Sequence, residues 1–206
     1  MDARLAGPVS HDKHKNEIED YMRTSIMFCC LVILWFGCSH NSVGPNPNPV
    51  PNTAKYKLAD VNSLAESYGK GLRLVIVMSH QVNNDGTSDK WQYVYTDTAM
   101  PHATYWFHAD ADGAVFDSTT AALIGSGIIY QAWFNSDSAL TIADQNGGSQ
   151  FRTQNPHYTI IASVGEPVVP NPKAYWHVTY QSTDNQSKIL ELSIDAITGE
   201  AVPVYN

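Results

Sequence analysis

His108, Asp110 and Asp112 alternate along one short stretch, so an extended backbone carries all three side chains on a single face. Imidazole and carboxylate groups in that order, followed by Gly113, resemble the start of a calcium site in which glycine lets the chain turn around the ion. A twelve-residue calcium loop also needs a late bidentate acid, and the position that would supply it is Thr119. Aspartates ahead of a turn glycine more simply cap their own backbone, which requires no ion. A zinc site would have to draw on His102, His108, His157 or His177, none of which stands at ligand spacing from another histidine. Gly125-Ser126-Gly127 lacks the spacing that strains a serine into a nucleophile elbow, and reads as a flexible connection. H-E-x-x-H, phosphate-loop and dinucleotide motifs are missing from the chain. The expectation is a protein that is not an enzyme and carries no cofactor.

Aromatic side chains are a second source of chemistry: the chain has eleven Tyr, five Trp and six Phe, many of them in strand-like runs. Large rigid rings with a polar edge bury area at little rotamer cost, which favours them at interfaces. The rows Trp91, Tyr93, Tyr95 and Trp176, Val178, Tyr180 are expected to face helices and form cores. Trp106 and Tyr175 have the opposite parity and are candidate contact residues, together with His177 on the wet side of its strand. Asp110 and Asp112, with Glu191 and Asp195, would steer a basic partner toward such a surface.

The elements that must position these residues read as one pattern written twice. Trp91-Gln-Tyr-Val-Tyr95, Tyr105-Trp-Phe-His108 and Asp110-Ala-Asp-Gly-Ala-Val115 form a first series. Trp176-His-Val-Thr-Tyr180, Ile189-Leu-Glu-Leu-Ser-Ile194 and Asp195-Ala-Ile-Thr-Gly-Glu-Ala-Val202 form a second, and Trp to turn Gly is 22 residues in one and 23 in the other. Each series follows a helical pattern and a further strand. Leu58, Val61, Leu64, Ala65 and Tyr68 recur at helical spacing before Gly69 and Gly71, and Leu72–Met78 then reads as strand. In the second copy Ser136 or Asp137 can cap a helix carrying Ala139, Leu140 and Ala143, which should stop at Gly147-Gly148 ahead of strand His157–Ile161. Neither element can bury its apolar side alone, so each helix must cover one face of an antiparallel sheet. The fold class is therefore α+β, with repeats over 53–120 and 136–206 and an apolar connector at 121–135.

These residues resemble the PepSY-like domains of bacterial secreted proteins. The resemblance is carried by Ala143-Asp-Gln-Asn-Gly-Gly148, by Tyr175-Trp-His-Val-Thr-Tyr180 and by Ile194-Asp-Ala-Ile-Thr-Gly-Glu200, which is similar to that family's Asp-x-x-Thr-Gly ending. The first copy has Asp112 in place of the Thr and lacks the Gly-Gly pair. It implies two repeats, each a helix on an antiparallel sheet of three to four strands, and a binding or inhibitory module. Tandem copies also resemble a compact inhibitor fold that presents a sheet to a β-lactamase.

Upstream, Ile26–Phe36 is an apolar run of eleven residues, too short to cross a bilayer as a helix and suited to the core of a signal peptide. Arg23 precedes it, and Gly37 stands before Cys38. This resembles a bacterial lipoprotein signal, although Trp35 occupies the place where leucine is usual; the resemblance implies lipidation at Cys38. Residues 1–37 are the signal region, and translation is expected to begin at Met22, since MRTS is by itself a complete n-region. Residues 38–52 hold the lipidated cysteine and a Pro/Asn-rich tether, which in extended geometry at about 3.1 Å per residue would hold a domain roughly 40 Å from a membrane.

No cysteine follows Cys38, so the folded part works without thiols. Twelve basic against twenty acidic residues give a net charge of −8, which argues against a nucleic-acid partner. The expected protein is a lipid-anchored cell-envelope module that meets a polypeptide and restrains a secreted hydrolase. The alternative is a glycan-binding or adhesive module in which Trp106 or Trp176 is a stacking platform. A hydrolase with an unrecognised site is the third reading.

Overall fold

The computed structural model describes residues 49–98, 103–121, 126–130, 132–167 and 173–204. The signal region, Cys38, tether residues 39–48 and His102 lie outside the described residues. Helix α1 (Leu58–Tyr68) forms where the helical spacing places it, with Val61 and Ala65 buried, and ends at Gly69 in extended conformation. A meander follows: β1 (Leu72–Ser79), β2 (Trp91–Asp97), β3 (Thr104–Ala109) and β4 (Ala114–Thr120). After the short β5 (Ser126–Gly127), the chain builds α2 (Ser136–Ala143) and α3 (Ser149–Gln154). A second meander completes it, made of β6 (Tyr158–Pro167), β7 (Tyr175–Ser182), β8 (Ile189–Asp195) and β9 (Ala201–Pro203).

The architecture is α+β, as expected, and a single antiparallel sheet spans both of the expected repeats. All pairings are antiparallel, and the two meanders join through β1 and β6 into one continuous sheet of order β4-β3-β2-β1-β6-β7-β8-β9, with β5 paired to the end of β6. The junction is short, from Ile76↔Gly165 to Ser79↔Ala162. Beyond it the connector takes over: Ile129 donates its amide to the Leu74 carbonyl at 2.9 Å, and Trp133 and Phe134 are buried, as an apolar connector should be.

Strand alternation assigns the two faces. One row runs across all eight strands as Phe116, Phe107, Tyr93, Val77, Val164, Trp176, Ile194 and Ala201, and it is apolar throughout. Both helical segments pack on this side, and the expected core rows are buried. The polar edge of each aromatic is satisfied in the helical layer: Trp91 Nε1 donates to the Asn52 carbonyl and Trp176 Nε1 to the Phe134 carbonyl, both at 2.9 Å. Tyr95 donates to Asn62 of α1 at 2.6 Å, and Tyr180 to Asp144 at 2.8 Å. Trp91 and Trp133 each meet Trp176 edge-on, at centroid distances of 6.3 and 5.7 Å, so the centre of the core is an indole cluster.

The second helical segment departs from expectation at its start. Its cap is Asn135, whose Oδ1 accepts from the Ser136 and Lys55 amides, because the Ser136 hydroxyl is already engaged with the Gly86 carbonyl at 2.7 Å and the Ala54 amide at 3.0 Å. The helix stops at Gly147-Gly148 as expected: Asn146 and Gly147 leave helical geometry, with Gly147 at φ 114°, and a separate short helix, α3, starts at Ser149. Gly148 is helical but cannot carry a Cβ, which would overlap the Tyr180 hydroxyl where it meets Asp144. Arg152 grips the same carboxylate with both guanidinium nitrogens, tying α3 back to the turn.

Candidate functional site

The face opposite the helices carries the candidate contact residues. One of its rows crosses eight strands as Val115, His108, Gln92, Met78, Ser163, His177, Ser193 and Val202. The adjacent row runs Trp106, Val94, Ile76, Gly165, Tyr175. Trp106 and Tyr175 thus share a row, separated by four inter-strand steps, roughly 19 Å at about 4.8 Å each. Between them Gly165 adds no side chain, and a Cβ there would press on the Val75 carbonyl at 3.2 Å. Val94 and Ile76 fill the other two positions between the rings. Trp106 and Tyr175 are half-buried and His177 is exposed. Partial burial of the imidazole lowers the His177 pKa below its ordinary value, against an opposing pull from Glu191, so the ring is neutral at pH 7. This face offers aromatic edges beside polar and charged side chains, Glu191 and the His108–Asp117 pair among them.

His108 sits at one end of that row, and the structure corrects its company. Its Nδ1 lies 2.6 Å from Asp117 Oδ1 and its Nε2 3.6 Å from Asp110 Oδ2. Asp112 is exposed and takes no part. The reason is a register shift: Trp106 pairs with Ser118 but Phe107 with Phe116, which makes Asp117 an extra residue and turns it toward the histidine. Asp110 Oδ1 accepts the amides of Asp112 at 2.9 Å and Gly113 at 3.2 Å, with Gly113 at φ 136°, so this acid caps a turn. Among the described residues no group of three or more His, Cys, Asp or Glu is placed to hold a metal ion.

The second Asp-Gly turn uses the same device. Asp195 Oδ1 accepts from the amides of Ile197 and Thr198, both at 2.9 Å, Gly199 takes φ 76°, and Lys173 lies 3.3 Å from Oδ2. Burial disfavours the charged carboxylate, but the two amides and Lys173 outweigh it and hold its pKa below the ordinary 3.8. A carboxyl depressed in the folded state stabilises above its unfolded pKa and loses that contribution as pH falls through the folded one. Asp195→Ala is therefore expected to cost about 1.5–3 kcal/mol at pH 7. In thermal melts the margin of wild type over the variant should hold at neutral pH and shrink below pH 3.8.

Sequence reasoning missed a polar cleft at the end of the sheet where β1 and β6 meet. It is about 800 Å³, lined among others by His80, Gln81, Asn83, Gln92, His157 and Thr159. Its residues share no motif; only the pairing of β1 with β6, followed by the 80–90 loop, brings them together. Trp176, a candidate stacking platform for glycans, is fully buried and cannot serve as one. Among the described residues no helix is long and apolar enough to cross a membrane. Compared with known proteins, the chain matches no family model, no curated protein and no solved structure.

Proposed function

We propose that this chain is a non-catalytic cell-envelope binding module, held to the membrane by a lipid on Cys38, that meets a polypeptide through the helix-free face of its sheet. The observation that carries the reading is the shared row of Trp106 and Tyr175 beside exposed His177, on the side away from both helical segments. With a secreted hydrolase as the partner, this face would restrain it by covering its site. The finer architecture in this proposal is two PepSY-like units fused through β1 and β6. It is supported by the repeated order of a helical segment and a four-stranded meander, and by the matched indole and phenol anchors of Trp91, Tyr95, Trp176 and Tyr180. Side chains at the centre of an interface carry most of its energy, so two truncations should suffice to abolish binding. The tagged full chain, incubated with envelope extract, is expected to retain a polypeptide that the Trp106→Ala/Tyr175→Ala variant loses at least about tenfold. Equal retention by both, or none by either, contradicts the proposal.

A further inference from the structure

The cleft at the β1/β6 end of the sheet is built, not incidental. Val82 donates its amide to the Ile160 carbonyl at 3.0 Å, Thr183 donates its amide to the His157 carbonyl at 2.9 Å, and Tyr158 donates to Asn84 Oδ1 at 3.0 Å. These bonds pin one wall to the other. The loop between β1 and β2 is internally braced: Asp85 Oδ1 accepts from the Thr87 amide and hydroxyl, Ser79 and Ser88 hydroxyls meet at 2.8 Å, and the Gly86 carbonyl is held by Ser136. The walls therefore need little ordering when a ligand enters.

The side chains left over are informative. Gln81, Gln92, His80, His157, Thr159 and Thr183 line the cleft, and none of these side chains makes a hydrogen bond within the described residues. Amides and imidazoles each combine a donor with an acceptor, the pairing that neighbouring hydroxyls of a sugar ring require. Fixed charge is balanced, with one Asp89 and one Lys90, which disfavours a phosphorylated or polyanionic ligand. Of the apolar lining residues, Val82 and Ile160 are buried, whereas Pro156 is exposed and the Tyr158 ring half-buried. The volume lies in the upper part of the range of roughly 300–1,000 Å³ typical of small-ligand sites, while the lining is more polar than such sites usually are.

We infer that this cleft is a second binding site, for a neutral oligosaccharide, at the end of the polypeptide-binding face proposed above and sharing Gln92 with it. Gln92 comes from β2 and His157 from the turn before β6, the two strands that flank β1. The test uses the full chain in detergent and calorimetric titration with neutral hexasaccharides of glucose, xylose, mannose and N-acetylglucosamine, alongside an oligogalacturonate and a Gly/Ser hexapeptide. At least one neutral hexasaccharide is expected to bind, with affinity reduced about tenfold or more by Gln92→Ala/His157→Ala and unchanged by Tyr175→Ala. Melting temperatures of the variants establish that they are folded. The inference is overturned if no neutral sugar binds, if only the acidic sugar or the peptide binds, or if affinity is indifferent to the Gln92/His157 pair.

Discussion

Gly86→Ala is expected to destabilise the protein by more than about 3 kcal/mol, near the upper end of single-substitution effects. Two independent causes converge on this residue. Its φ of 81° lies in the left-handed region, where a Cβ costs roughly 1–2 kcal/mol. That Cβ would also sit 2.5 Å from the Asp137 amide nitrogen and Cα and from the Ser136 carbonyl oxygen, all backbone atoms at the start of α2. Backbone cannot rotate away as a flexible side chain does. Relief requires the loop to leave α2, which breaks the Ser136 hydroxyl's bond to the Gly86 carbonyl. Urea denaturation read by tryptophan fluorescence checks it; a loss below about 1 kcal/mol would show that the loop shifts freely.

Trp176→Ala is the second large effect, with an expected loss of about 3–5 kcal/mol from the cavity and the forfeited contacts. The indole is fully buried, edge-on to Trp91 and Trp133, and its Nε1 satisfies the Phe134 carbonyl. Truncation leaves that carbonyl without its donor inside the core, which adds to the cost. Trp106→Ala should behave differently, changing stability by less than about 1 kcal/mol, because Trp106 is half-buried on the open face. Equal losses from the two substitutions would mean that the faces have been assigned wrongly.

What the sequence makes legible is the period-two pattern. Trp91, Tyr93 and Tyr95, like Trp176, Val178 and Tyr180, face the helices because alternation alone decides which side of a pleat a residue takes. The turn glycines Gly113 and Gly199 are legible too, since each follows an aspartate that caps it. Non-local pairing is not legible. Nothing near Met78 or Ser163 says that these residues are cross-strand neighbours, yet that pairing fuses the meanders and creates the cleft. A one-residue irregularity is equally hidden: the shift after Trp106 replaces Asp112 by Asp117 beside His108. Gly147-Gly148 is legible as a stop, and Gly147 breaks the helix with a positive φ, but the short helix that follows and the clearance Gly148 leaves under Tyr180 are not legible.

Recognition through the helix-free face is tested most directly by a photo-crosslinking residue placed at His177, which is exposed on that face, and in parallel at Ser63, exposed on α1. In cells producing the full chain, irradiation should join a second polypeptide to the His177 position and not to Ser63. Adducts from Ser63 alone, or the same adducts from both positions, would contradict it.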